Sequence, residues 1–371
     1  MELVVIPTAA GREQRVVDWV RQWANRRREL TLRSDQFGNL ELRRSGKRSA
    51  RPIYFVAHMD HPAFVVHRIM GCQQLIAEFR GGVREPYFKG SKILLHQGDG
   101  TVVRGVVHGQ IRPRDKRRAN GFKLFQLSFA RSVAAELGDV VTWDTGKPGA
   151  PSRSPRHSLK AADRLRAPAA DNLAGVAAAL GAFDTLVQDR ELTNDVRVLL
   201  TRGEEVGFVG AIGACSTKRI PKQARLIVLE ASKSFDDSPI GAGPIVRVGD
   251  RVSIFHADLT YQMVRIAEGL QSRRANFRWQ RKLMPGGTCE ATAFQSFGHA
   301  SACTCLALGN YHNMNERTGR IGPEIISLSD FYNLIRLLVA IGQQLDPKSK
   351  SDLRHRLEAN FQTRRALLES E

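Results

Sequence analysis

The chain has 371 residues, a formal charge of +19 and a pI near 10.3. Its 42% hydrophobic and 25% charged content is that of an ordinary globular protein. No stretch approaches the roughly 18 apolar residues of a membrane span, so a membrane partner is not expected. The length exceeds what one core usually supports, and two domains are expected.

The basic balance favours anionic partners. Residues 67–162 carry 17 Lys and Arg against 7 Asp and Glu. Yet the run "RPRDKRRANG" at 112–121 has no interleaved aromatics and reads as a solvated loop, so nucleic acid is not the expected partner. Cys72, Cys215, Cys289, Cys303 and Cys305 lack zinc-finger spacing and read as small buried hydrophobes in a reducing compartment. The opening "MELVVIPTAAGREQ" has no basic n-region, which makes a cytoplasmic location the expectation.

In chain order, residues 13–28 place Val16, Trp19, Val20 and Trp23 on one helical face with arginines opposite. "DQFGNLELRR" reads as a turn into a strand, and "RPIYFVAHMD" (51–60) as a buried strand. From 67 to 150 short alternating segments and frequent glycine predict a small β-rich, barrel-like domain. "GKPGAPSRSPRHS" (146–158) reads as the linker back. From residue 169 helices and strands alternate: a helix on "DNLAGVAAALGAFDTLV", strands at 195–201 and 224–232, a helix at 256–271 and a strand at 300–310. A last amphipathic helix covers 329–345 with Ser329 as its candidate N-cap, and the tail 346–371 is polar. The expected architecture is α/β: a mixed, largely parallel sheet between helices. Its segments 1–66 and 163–345 form one discontinuous domain interrupted by the insert 67–162.

Polar residues recur where these strands run out. "YFVAHMD" ends in His58 and Asp60, "VLLTRGEE" in Glu204 and Glu205, "LIVLE" in Glu230 and "TCLALGNYH" in His312. Asp171 opens the helix after the linker. In open α/β sheets ligands bind beyond the carboxyl ends of the strands. Singly, such residues are ordinary solvated turns, caps or structural histidines; their recurrence points to one crevice. Two histidines with several carboxylates and no thiolate suit zinc, cobalt or manganese. Five ligands with one carboxylate shared make a paired-metal site that activates a water. Adjacent Glu204 and Glu205 then divide the work of proton acceptor and ligand, and Asp60 suits a carboxylate behind His58.

The series "AHMDHPAF", "AADNLAGVAAAL", "TRGEEVGFVGA", "LEASKSFDDSPIGAGPIVRVGD" and "MPGGTCEATAF" resembles, in order and over nearly the whole chain, the glutamyl or deblocking aminopeptidases. These include the tetrahedral aminopeptidases, within the co-catalytic di-zinc metallopeptidases. The resemblance implies His58 and Glu230 as ligands of one metal, Asp171 as the bridge, and Glu205 and His312 as ligands of the second. It implies Glu204 as general base, Asp60 as the acid of an HxD motif and a cis Asp171–Asn172 peptide. It further implies a peptide substrate, two divalent ions (zinc, with cobalt or manganese as alternatives) and a homo-oligomer built through the insert. Four positions depart from the pattern: Glu230 stands where relatives carry Asp, and His61 replaces an acid. Cys289 replaces an Asp, and "LGNYHNMNE" replaces "YxHSxxE". The expected activity is therefore a metallo-aminopeptidase. The alternatives are a carboxypeptidase or N-acyl amino-acid hydrolase on the same site, and a non-catalytic relative that binds an acidic partner through its basic insert.

Overall fold

The computed structural model describes residues 2–46, 49, 51–111, 121–149, 163–346 and 353–369. Most of the basic run at 112–121 and of the linker at 146–158 lies outside them.

Helix α1 (Gln14–Asn25) buries Val16, Val17 and Val20, with Trp19 and Trp23 half-buried on the same core. Strands β1 (Leu30–Ser34), β2 (Leu40–Arg44) and β3 (Ile53–His58) follow. The chain then leaves the main sheet through β4 (Ala63–Gly71), β5 (Gln74–Arg80), β6 (Lys92–His96), β7 (Val102–Ile111), β8 (Lys123–Phe129) and β9 (Val140–Trp143). These close a six-stranded barrel in the order β4-β5-β8-β7-β6-β9. β7 alternates exposed and buried positions over most of its length, as a strand with one face in a barrel core must. Phe64 fills that core, with ring centroids of Phe79, Trp143, Phe125 and Phe88 at 4.8, 4.9, 5.6 and 5.9 Å. Aromatic edges meeting faces in this way add to the area they bury.

The chain returns through β10 (Arg164–Ala167), then α2 (Ala170–Gln188), β11 (Val196–Thr201), α3 (Val209–Ser216), β12 (Arg225–Lys233), β13 (Ile245–Gly249) and α4 (Ala257–Arg273). It continues with β14 (Gln280–Leu283), α5 (Glu290–Ser296), β15 (Ala300–Leu308), the short β16 (Met314–Asn315), β17 (Arg320–Ile321) and β18 (Glu324–Ser327), and α6 (Leu328–Gln344). The main sheet has the order β1-β2-β11-β3-β12-β15-β13-β14. Its centre, β11-β3-β12-β15, is parallel throughout, while β2 and β13 run antiparallel to it. β3 and β11 are buried at every position, which fits their largely apolar sequence, interrupted in β11 by Arg197, and helices on both faces. One face packs on α1, α2, α4 and α6, the other on α3 and α5. α2 lies at the centre, and α6 approaches it at Gly342, where a Cβ would stand 2.5 Å from Leu186 Cδ1. Any larger residue there would have to displace the Leu186 side chain.

Three expectations shift. The α6 cap is Ser327, whose hydroxyl accepts from the Asp330 N–H, while Ser329 Oγ instead donates to Asp163. Cys72 is exposed; the other four cysteines are buried. Glu230 does not end its strand, because β12 runs on through Lys233 beside β15. In the tail, α7 (Leu353–Arg364) is exposed along its whole length and touches the body through an Arg356 hydrogen bond to Tyr261 Oη. No helix among the described residues is long and apolar enough to cross a membrane.

Candidate metal centre

Because β11, β3, β12 and β15 are parallel neighbours, their carboxyl ends open on one crevice. β3 delivers His58 and β12 delivers Glu230. After β11, Gly203 takes a left-handed φ of 62° and turns the chain so that Glu204 and Glu205 face back over the sheet. His312 follows β15 in a tight turn and itself holds φ 52°, ψ 39°, flanked by Asn310 and Asn313 in the same region. Left-handed backbone is uncommon for residues other than glycine, and Asn tolerates it best. Asp171 sits at the entry of α2, where the Asp171–Asn172 peptide is cis.

The seven residues singled out in the sequence all come together here. Two donor groups share Asp171: His58, Asp171 and Glu230 on one side, and Asp171, Glu205 and His312 on the other. His58 Nε2 lies 3.6 Å from Asp171 Oδ1 and 3.6 Å from Glu230 Oε2. His312 Nε2 lies 3.6 Å from Asp171 Oδ2 and 3.4 Å from Glu205 Oε1. Two donors on a tetrahedral ion at about 2.0–2.1 Å stand roughly 3.3–3.4 Å apart, which is close to these separations. Each imidazole turns its Nδ1 to a carbonyl oxygen, His58 to Asp60 at 3.2 Å and His312 to Gly82 at 2.6 Å. An Nδ1–H donated there leaves the Nε2 lone pair pointing into the crevice, the tautomer a ligand needs.

The electrostatics ask for a cation. Asp171 Oδ1, Glu205 Oε1 and Glu230 Oε1 are buried without a hydrogen-bond partner. Burial pushes Glu205 up to about 7, and although His312 opposes this, the Asp171 charge adds to it. Burial also raises Glu204, and Glu230 and Glu205 raise it further against His58. Burial disfavours protonated His312, but Glu205 and Asp171 outweigh it and lift the group to about 9. Without a positive ion this cluster can exist only by taking up protons. The donor set, the tautomers and the orphaned oxygens therefore fit a pair of divalent ions.

Around the clustered donors stands a layer that sequence reasoning largely missed. Asp60 does more than back His58: its Oδ1 and Oδ2 accept the N–H groups of Glu204 and Glu205, each at 3.0 Å, and so fix the turn. Buried Glu13 accepts from Gly203 N–H and from Arg202 on the same turn. Glu324 accepts from the N–H of Asp171 and from that of His312, tying these two donors together. His61 reaches the Asp171 carbonyl through Nδ1 and Asn313 Oδ1 through Nε2. Glu290 accepts from Thr201 Oγ1, and burial raises it to about 8. The only sequence signal for Glu324 and Glu290 is an acid placed in an otherwise apolar segment.

A cavity of about 870 Å³ opens over the crevice. Among its lining residues are Lys233, Phe235, Ile240, Met284 and Arg247. Arg247, on β13, is 4% exposed, donates one long hydrogen bond to Ser232 Oγ (3.3 Å) and leaves its Nε unpartnered.

Residues 38–325 match the M42 glutamyl aminopeptidase family. The chain belongs to that family. It is a peptidase of the hydrolase class, as the family assignment carries. The fold is shared with solved structures of low identity. A Pyrococcus horikoshii TET1 peptidase, described as assembling into a tetrahedron or a large octahedral shell, is 20% identical. It aligns with 93% of this chain and 98% of its own at a TM-score of 0.74. An aminopeptidase from the archaeon Desulfurococcus kamchatkensis is 22% identical, with 94% of each chain covered and a TM-score of 0.74. A TET aminopeptidase from a marine sediment archaeon of the Thaumarchaeota is 20% identical, covering 93% and 95%, with a TM-score of 0.72. No curated protein matches the sequence significantly.

Proposed function

We propose that this M42 peptidase is an aminopeptidase that works with two divalent ions, zinc being the best fit. His58 and Glu230 hold one, Glu205 and His312 the other, and Asp171 lies between them. The observation that supports this reading most directly is the single Asp171 carboxylate, whose two oxygens each face a separate His–Glu pair. When bound, such ions acidify a water and polarise the scissile carbonyl. Glu204 is the proton carrier: its Oε2 lies 3.9 Å from His58 Nε2, at the rim of the crevice, and it is not needed as a ligand. It takes the proton from the attacking water and passes it to the leaving amine, while Asp60 holds its backbone in place.

Arg247 supports a finer reading. A buried guanidinium with an unpartnered N–H beside the reacting centre recognises a carboxylate on the substrate. An acidic N-terminal residue supplies one, which agrees with the family's description as glutamyl aminopeptidases. The same group would take the α-carboxylate of an N-acyl amino acid, and Glu230 in place of Asp gives that second reading its weight. A panel of free-amine dipeptides with acidic, apolar and basic first residues, run beside N-acyl amino acids, separates the two. Chelator and Glu204→Gln controls accompany it. Release of acidic N-terminal residues, abolished in both controls, is the expected result; cleavage of N-blocked substrates alone would transfer the assignment.

We also read the chain as a homo-oligomer. Support comes from the assemblies described for its structural relatives, a dodecamer and a tetrahedral or octahedral shell. Sedimentation velocity reading a single-chain mass at working concentration would remove it.

A further inference from the structure

A second polar cavity lies on another part of the sheet, toward its β1 edge. It has a volume of about 600 Å³ and is lined by Arg33, Ser34, Glu41, Arg43, Arg197 and Arg219. The sheet register explains why these side chains converge. β2 pairs with β11 so that Arg43 stands directly opposite Arg197, and with β1 so that Arg33 stands opposite Glu41. Side chains paired in this way share one face of the sheet. The face is the one covered by α3 and α5, and Tyr54, Leu199 and Val56 lie on it under that cover. Toward the β1 edge the cover gives way to arginine.

Like charges directly opposite on neighbouring strands are destabilising. Arg197 is the fixed member of the pair. It is buried, bound by Asp195 at 2.7 Å and Glu41 at 3.3 Å, and it donates to Tyr54 Oη at 3.0 Å. Asp195 is also occupied by the Ser49 N–H, and Glu41 also accepts from Tyr54. Arg219 is placed by a hydrogen bond from its Nη1 to the Ser34 carbonyl. Arg33 and Arg43 have no ion pair among the described residues. The cavity thus gathers four guanidinium groups against two carboxylates, Asp195 and Glu41, both already engaged by Arg197, which leaves Arg33, Arg43 and Arg219 without a carboxylate partner among the described residues. Nothing in the peptidase reaction uses it.

We propose that this cavity binds a small oligophosphate, a compact ligand with several phosphate oxygens on adjacent phosphorus atoms. Guanidinium forks match phosphate oxygens in pairs, and buried Arg197, held by its own carboxylates, gives the site a rigid floor. Three unpaired guanidinium groups converging on that floor suit a ligand with its charge concentrated. A nucleic-acid backbone, with its single charge on each well-spaced phosphate, is better served by an extended stripe.

The test is calorimetric titration of the full-length, metal-loaded chain with sodium tripolyphosphate in chloride buffer. An Arg43→Gln/Arg219→Gln double variant and a Glu41→Gln variant are run beside it, and peptide hydrolysis reports that each is intact. One tripolyphosphate per chain is expected, bound at least about tenfold more weakly by the double variant and more tightly by Glu41→Gln. Affinity should fall as sodium chloride is raised. Absence of binding, or binding that the double variant leaves unchanged because the metal centre holds the probe, overturns the proposal. A single-stranded oligodeoxynucleotide that binds more tightly than tripolyphosphate with the same sensitivity to the variants also overturns it, in favour of a phosphodiester backbone.

Discussion

The barrel and the crevice solve opposite problems with strands of similar apolar character. In the barrel, Phe64, Phe79, Phe88, Phe125 and Trp143 close on one another, and the core needs nothing from outside. At the crevice, five carboxylates and two imidazoles are gathered, and burial works against the charged forms of Asp171, Glu204, Glu205, His58 and His312. The barrel is held by packing; the crevice is held by a surrounding layer of hydrogen bonds and by charge it does not itself contain. Stability and activity should therefore respond to different substitutions. The two regions meet at Gly82, just past β5, whose carbonyl accepts from His312 Nδ1.

The widest separation is expected at Glu204. Glu204→Gln should lower kcat by about a thousandfold. It should leave the thermal midpoint unchanged or raised, since it removes one of the mutually repelling carboxylates. Parallel assay and melting curves check both, and an equal loss of stability would erase the distinction. Phe64→Ala should do the reverse. Stability should fall by about 3–5 kcal/mol, from lost burial and the cavity left behind, while kcat per folded molecule stays close to that of the parent. Urea unfolding measures the first and active-site-normalised assay the second.

Asp60→Asn tests the layer between. An amide offers one acceptor oxygen and a donor where two N–H groups now point, so the Glu204–Glu205 turn loses at least one anchor. A decrease of about 10–100-fold in activity or metal affinity is expected, with a smaller effect on melting than Phe64→Ala. The smallest effect belongs to the barrel wall. His96 on β6 is held down to about 4 by burial and then by Arg15. Its neutral form is therefore the folded one, and stability is full above the ordinary value of about 6.5. As pH falls from there toward 4, the unfolded chain binds a proton that the barrel refuses, and stability declines. His96→Gln should remove about 1 kcal/mol of that decline by pH 5, allowing for partial exposure. Urea midpoints at pH 7.5 and 5 would show it, with the hydrolytic rate at neutral pH unaffected.

Legibility in the sequence follows the same division. The apolar runs that became β3, β11, β12 and β15 were readable because strands buried on both faces carry few polar interruptions, Arg197 in β11 and Glu230 in β12 among them. The alternation of β7 announced the barrel wall. His58, Asp60, Asp171, Glu204, Glu205, Glu230 and His312 were readable because each interrupts or follows an apolar segment with a residue that such a segment does not need. Glu13, Glu290 and Glu324 belong to the same site and were not found. Glu290 accepts from a hydroxyl 89 positions away, and Glu13, besides the neighbouring Gly11 N–H, accepts from Arg202 and Gly203 at 189 and 190 positions. No local pattern records such a partner.

What the sequence by itself determined is the set of elements, the mixed sheet with its inserted barrel, and the chemical character of the crevice, since period, turn residues and donor type are local properties. The tertiary structure decided how donors are shared. It turned the two oxygens of Asp171 toward different histidines, and it gave Asp60 the backbone of Glu204 and Glu205. It also set Arg43 opposite Arg197 across two strands more than 150 residues apart in the chain. Strand order and register fix those meetings, and both depend on how the whole sheet packs between its helices.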